Sequence, residues 1–215
     1  MHAVTPHTRT GAVISADVSA ASRLRPAAER KGAESEPMRR PLGELLPRGR
    51  RGAVVLAVSA ALVAAGFADF GLTGWAIVGM VLCPLLVLLA AIDLEERLIP
   101  NRLLLPAAIV VTAIVAVSRP ADLVAGLVAG AALGGLFFAI GAFFPGSIGM
   151  GDAKLGLLLG LALGSMTVVA VEAALLGVLA VGVWLILTQG MSARKKTIPF
   201  GPFLALGGII GFFLT

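Results

Sequence analysis

Beyond residue 52 the chain carries seven acidic residues, Asp69, Asp93, Glu95, Glu96, Asp122, Asp152 and Glu172, set among long apolar runs. A carboxylate inside or beside such a run is expensive, so each needs a reason. Asp93 ends one run, in Leu89-Ala-Ala-Ile-Asp93-Leu-Glu-Glu-Arg-Leu-Ile-Pro-Asn101, and Asp152 begins another, in Ile148-Gly149-Met150-Gly151-Asp152-Ala153-Lys154-Leu155. Two carboxyls that meet at close range cannot both ionise, so one keeps a proton while the other serves as a general base. The base activates a water for attack on a peptide carbonyl, and the protonated partner donates toward the developing oxyanion. Such hydrolysis needs no metal, no cofactor and no nucleophilic Ser or Cys. Gly149 and Gly151 would let an extended substrate backbone come close to Asp152, because a side chain there would obstruct it. Spacing alone leaves a structural alternative open: a glycine turn before a helix, with Asp152 as its N-cap.

The other five acids have simpler explanations. Asp69 and Asp122 fall at outer loops, at the ends of apolar segments, and read as solvated loop charges. Glu95 and Glu96 neighbour Arg97 and read as surface charges that could pair with it. Glu172 stands alone near one end of its segment, either interfacial or hydrogen-bonded within the bundle, with no second acid to work with.

Composition defines what must position the pair. Hydrophobic residues make up 58% of the 215 and charged residues 13%, against about 25% charged in an ordinary soluble domain. A water-soluble enzyme is therefore excluded. Cys83 is the single cysteine, so neither a disulfide framework nor a cysteine zinc site can be built within the chain. Apolar stretches near 53–70, 72–92, 103–118, 121–145, 153–168, 170–189 and 198–214 predict an all-α polytopic bundle of about seven transmembrane helices, each suited to a hydrocarbon core of about 30 Å. Residues 155–188 contain one charge, Glu172. As one helix this run would be too long for a single crossing, so a break is expected at Gly164-Ser165. Gly126, Gly130 and Gly134, and likewise Gly156, Gly160 and Gly164, repeat at every fourth residue and predict close helix packing inside the bundle.

The net charge of +5 resides in the first 52 residues, which hold ten Lys and Arg against five acids. This tail has no sustained apolar period and reads as disordered. Its arginines 39, 40, 48, 50 and 51 read as a topological signal, and Met38 as a possible true start. Interleaved acids and the lack of aromatics argue against nucleic-acid binding. Basic residues collect on the cytoplasmic side. Seven crossings from a cytoplasmic N-terminus put Arg97, Arg102, Lys154, Arg194, Lys195 and Lys196 inside, with only Arg119 opposite and the C-terminus outside. Asp93 and Asp152 then share the cytoplasmic membrane face, joined by one out-and-back excursion of two helices.

At these residues the sequence resembles the type IV prepilin peptidases, membrane aspartyl proteases of the GxGD type. The block from Asp93 to Asn101 is similar to the family's first-aspartate block. Gly149-Met-Gly-Asp-Ala-Lys-Leu155 is similar to its GxGD block, and Ile198-Pro-Phe-Gly-Pro-Phe-Leu204 to the entry of its last helix. The resemblance covers roughly residues 72–215 and leaves one N-terminal helix outside it, so the expected domains are a cytoplasmic tail, 1–52, and a peptidase domain, 53–215. It implies cleavage of prepilin-like leaders at the cytoplasmic face of the inner membrane, after a Gly that precedes an apolar helix. Asp93 and Asp152 would be the catalytic pair, and Gly149, Gly151 and Lys154 their supporting loop. The implied partners are such substrates, the lipid bilayer and a pilus or secretion machinery. Larger members carry an insertion with paired CxxC motifs and methylate the new N-terminus with S-adenosylmethionine. One cysteine cannot supply those motifs, so the resemblance is to the short form, without N-methylation. Two other readings remain: an ion- or proton-coupled transporter using the same carboxylates, and an inactive pilus-assembly membrane protein. Both acids lie at one edge and no inverted repeat is evident, unlike a typical carrier.

Overall fold

The computed structural model describes Gly43 and residues 46–144, 147–190 and 199–214. The chain divides into Met1–Pro41 and Leu42–Thr215, and every described residue belongs to the second unit. Most of the expected disordered tail, the Met38 start and the basic residues 194–196 lie outside the described residues.

Among the described residues from 46 onward seven α-helices follow one another: α1 Arg50–Phe70, α2 Gly74–Glu96, α3 Asn101–Ser118, α4 Pro120–Phe143, α5 Met150–Leu163, α6 Thr167–Gln189 and α7 Gly201–Phe213. Each segment expected from hydropathy is present, with ends displaced by a few residues. Four of these helices, and the 40-residue run Met150–Gln189, are long and apolar enough to cross a membrane. That run is not one rod. A 3-10 turn, Gly164–Met166, separates α5 from α6, and Gly164 has φ 56°, a conformation natural only to glycine. The break thus falls where the sequence places it. At 14 and 13 residues, α5 and α7 are each about 20 Å long, shorter than a full crossing. The molecule is an all-α polytopic membrane bundle.

α2, α5 and α7 form the centre. Val78, Leu82, Leu86 and Leu89 of α2 lie fully buried in one core with Leu155, Leu158 and Leu159 of α5 and Leu204 and Phe212 of α7, and Leu86 and Leu159 both reach Gly208 of α7. α7 runs antiparallel to α2. At one end Gly201 meets Asp93, and at the other Phe212 stacks on Trp75 with ring centroids 5.2 Å apart and accepts a 3.2 Å hydrogen bond from the indole N–H. α4 lies flush on α5 because glycine faces glycine. A Cβ on Gly160 would collide with the Gly130 backbone, and one on Gly126 would stand 2.8 Å from the Leu161 carbonyl oxygen. The small-residue repeats therefore serve packing within the chain.

The outer helices bury few of their residues. α1 buries only Ser59 and Gly66; Phe70 sits edge-on to Trp75, and Arg51 pairs with Glu95 at 2.8 Å. α6 buries only Thr167, Ala170 and Ala174, all in its first turns.

Candidate active site

Asp93 stands in the last turn of α2, three residues before its end, and is 7% exposed. Its backbone carbonyl accepts from the Arg97 N–H at 3.0 Å, where Arg97 stops the helix in a left-handed conformation, φ 52°. The Asp93 carboxylate accepts a hydrogen bond from the Gly201 backbone N–H at the start of α7, and the Arg97 charge lies near it. Gly201 comes this close because it has no side chain: a Cβ would lie 2.5 Å from Asp93 Oδ2. The third sequence block thereby closes over the first.

Asp152 stands in the first turn of α5 and is half-buried. Gly149, not Asp152, is the N-cap. The Asp152 carboxylate reaches back to accept from the Gly149 N–H at 3.3 Å, while its own N–H donates to the Gly149 carbonyl at 3.1 Å. This is the return half of a capping box, and it also suits a negative charge at a helix start. The local structural explanation of Asp152 is therefore satisfied, although the carboxylate also has a tertiary neighbour. Asp93 is close enough for its charge to act on Asp152.

Ile99 joins the two halves. It is 9% exposed, and its side chain fills the space that a Cβ on Gly151 would need, 2.9 Å from Ile99 Cβ. Its Cδ1 also lies 3.3 Å from where a Gly201 Cβ would stand. Gly151 thus holds α5 against the segment after Asp93, a packing duty rather than an opening for substrate. Gly149 is exposed, and the nearest atom to a Cβ there is Asp152 Oδ2 at 3.4 Å. Lys154 Nζ donates to Asn101 Oδ1 at 2.8 Å, joining the first turn of α5 to the first residue of α3. Edge-on packing of Phe200 with Phe137, centroids 5.7 Å apart, ties the entry of α7 to α4.

Asp93, Asp152, Gly149, Gly151 and Lys154 therefore converge at one end of the bundle. Sequence reasoning overlooked Gly201, Ile99 and Asn101 as site residues. Their signal was present in the Ile-Pro-Asn that follows Asp93 and the Phe-Gly-Pro of the last block. Four of the other acids have surroundings of their own. Glu95 lies in the last turn of α2 and pairs with Arg51 rather than Arg97. Asp122 pairs with Arg119, whose guanidinium lies 4.2 Å over the Trp75 ring, and Asp69 and Glu172 are exposed. Among the described residues no three His, Cys, Asp or Glu side chains group as metal ligands.

A family model described as the type IV leader peptidase family matches residues 80–188. The chain belongs to that family. Asp93, Ile99, Asn101, Asp152 and Lys154 fall inside the matched region, whereas α1 and Gly201 lie outside it. A Bacillus subtilis (strain 168) protein, "Prepilin leader peptidase/N-methyltransferase", is 35% identical over 158 residues, covering 72% of this chain and 62% of that protein. A Burkholderia pseudomallei (strain 1026b) protein of the same name is 35% identical over 180 residues, covering 78% of this chain and 56% of that protein. This family member thus spans roughly three fifths of the length of the curated relatives it matches. No solved structure matches the chain.

Proposed function

We propose that this type IV leader peptidase family member is a membrane-embedded aspartyl endopeptidase that removes the leader of prepilin-like proteins, with Asp93 and Asp152 as its catalytic pair. The observation that carries the reading is the convergence at one bundle end of two aspartates from different helices, with Gly201 against the Asp93 carboxylate and Ile99 wedged against both Gly201 and Gly151, the residue before Asp152. One carboxylate takes a proton from water as the oxygen attacks the peptide carbonyl, and the protonated partner gives its proton toward the carbonyl oxygen. Collapse of the tetrahedral intermediate breaks the C–N bond, and the amine leaves with a proton returned from the pair. Gly149 keeps one approach to Asp152 free of a side chain, and Gly151 and Lys154 hold the first turn of α5.

The aspartate end is the cytoplasmic end in this reading. Arg97, Arg102 and Lys154 gather there, while among the described residues Arg119 is the one basic residue at the far end, which supports a cytoplasmic N-terminus and an external C-terminus. The substrate would present an apolar helix beside the bundle, as a client of a pilus or secretion machinery. The reaction uses no cofactor and does not extend to N-methylation, because buried Cys83 is the sequence's single cysteine. The test is to incubate purified protein with a prepilin-like precursor and S-adenosylmethionine and to identify the product's N-terminus by mass spectrometry. The expected product begins with an unmodified amine. An intact precursor would reject the peptidase, and a methylated amine would reject the short-form reading.

A further inference from the structure

Asn101 occupies the first position of α3, one residue inside the cap, so its side-chain oxygen is not the one that closes the helix start. The N-cap of α3 is Pro100, with no side-chain cap bond, and the Leu103 and Leu104 N–H groups donate to the Pro100 carbonyl. The Asn101 oxygen accepts from Lys154, fifty-three residues away, at 2.8 Å. Which amide atom faces the lysine is fixed by chemistry, since an ammonium group only donates.

Lys154 is not in its simplest use. A lysine near a membrane edge extends its head to water or lipid phosphate. A cation within the first turns of a helix also faces the positive end of the helix dipole. Lys154 lies two residues after Asp152 on α5, half-buried, and points its ammonium at the opening of α3. The hydrogen bond between Asn101 and Lys154 joins the two segments that carry the aspartates. Asn101 follows Asp93 through the short Arg97–Pro100 connection, whose Ile99 already rests on Gly151.

We infer that the Asn101–Lys154 hydrogen bond is a latch that sets the position of the first turn of α5 relative to the end of α2. Asn101 is then a positioning residue for the aspartate pair, acting through Lys154 without touching the reacting atoms. The inference rests on the catalytic reading of Asp93 and Asp152, but the latch itself can be tested without any cleavage. It differs from a general packing role in one respect: it requires an acceptor at position 101 and a donor at 154, or the reverse, and not merely side chains of the right volume.

The experiment uses the full chain in detergent with four variants: Asn101→Leu, Asn101→Asp, Lys154→Leu, and the exchange Asn101→Lys with Lys154→Asn. Helix content and elution volume report folding. Spin labels at cysteines replacing exposed Leu105 on α3 and Met150 on α5 report the distance distribution between the two helix starts. Asn101→Leu and Lys154→Leu should broaden that distribution and lower kcat by about 10- to 100-fold with KM nearly unchanged, since displacement of about 1 Å is enough for such losses. Asn101→Asp and the exchange should both retain a narrow distribution and kcat within a few-fold of wild type. The latch is overturned if Asn101→Leu keeps the wild-type distribution, or if Asn101→Asp and the exchange are as defective as the leucine variants. If wild type itself cleaves nothing, the peptidase reading fails while the distance measurement still decides the latch.

Discussion

Asp93 and Asp152 carry the same side chain and are held in different ways. Asp93 lies in the closing turn of a long, centrally packed helix, 7% exposed, with its carbonyl bonded to Arg97 and its carboxylate to the backbone of Gly201 in a distant helix. Asp152 lies in the opening turn of a short helix, half-buried, and its carboxylate accepts a 3.3 Å hydrogen bond from the Gly149 N–H three residues back. Tertiary structure fixes the first acid. A local turn fixes the second, supported by Ile99 against Gly151 and by the Asn101–Lys154 bond. Errors of geometry should therefore enter mainly through the start of α5, unless the backbone over Asp93 is itself disturbed.

That contrast can be broken most severely at Gly201. Gly201→Ala puts a methyl group 2.5 Å from Asp93 Oδ2 on a backbone that cannot retreat without losing its hydrogen bond. Precursor processing should fall about 100-fold, with a loss of about 1–3 kcal/mol in thermal unfolding. Processing at the wild-type rate would show that α7 does not hold Asp93. Gly151→Ala comes next, because its Cβ meets Ile99 Cβ at 2.9 Å and must push α5 away. About a tenfold fall in kcat is expected, smaller than at Gly201 because the clash is with the Ile99 side chain and not with the Asp93 carboxylate itself.

Gly149→Ala sharpens the comparison within one motif. Its φ is −75° and its nearest neighbour would be 3.4 Å away, so unfolding should change by no more than about 0.5 kcal/mol. If substrate passes beside Asp152, KM rises severalfold while kcat holds. An unchanged KM would remove Gly149 from the substrate path. The smallest effect belongs to Arg51→Ala. Its pair with Glu95 is exposed on both sides, so stability should shift by about 0–1 kcal/mol and processing should be unaffected.

Helices were the most legible feature of the sequence, since apolar runs bounded by Gly, Pro and charge leave little alternative in a bilayer. The bend at Gly164 was legible for the same reason, because thirty-four residues with one charge exceed one crossing. The aspartates could be selected by elimination and by their shared end of the bundle. What could not be read was which glycine faces which neighbour. Gly149 and Gly151 look equivalent in sequence, yet Gly151 is occupied by Ile99 and Gly149 is open, a distinction that arises only when α5 docks on the segment after Asp93. Gly201 stands in a block that the sequence does single out, but its part depends on an antiparallel approach of α7 to α2 that appears only in the fold. The pairing of Glu95 with Arg51 rather than Arg97 likewise follows from α1 lying beside α2.

Replacing each aspartate by an isosteric amide tests the central claim most directly. Asp93→Asn and Asp152→Asn are each co-expressed with a prepilin-like precursor, and the rate of leader removal is compared with wild type at equal membrane levels. Both variants should fold, insert and accumulate uncleaved precursor, with the rate reduced at least about 100-fold, because neither carboxyl can replace the other as acid or base. Processing at the wild-type rate by either variant would contradict the paired-aspartate account.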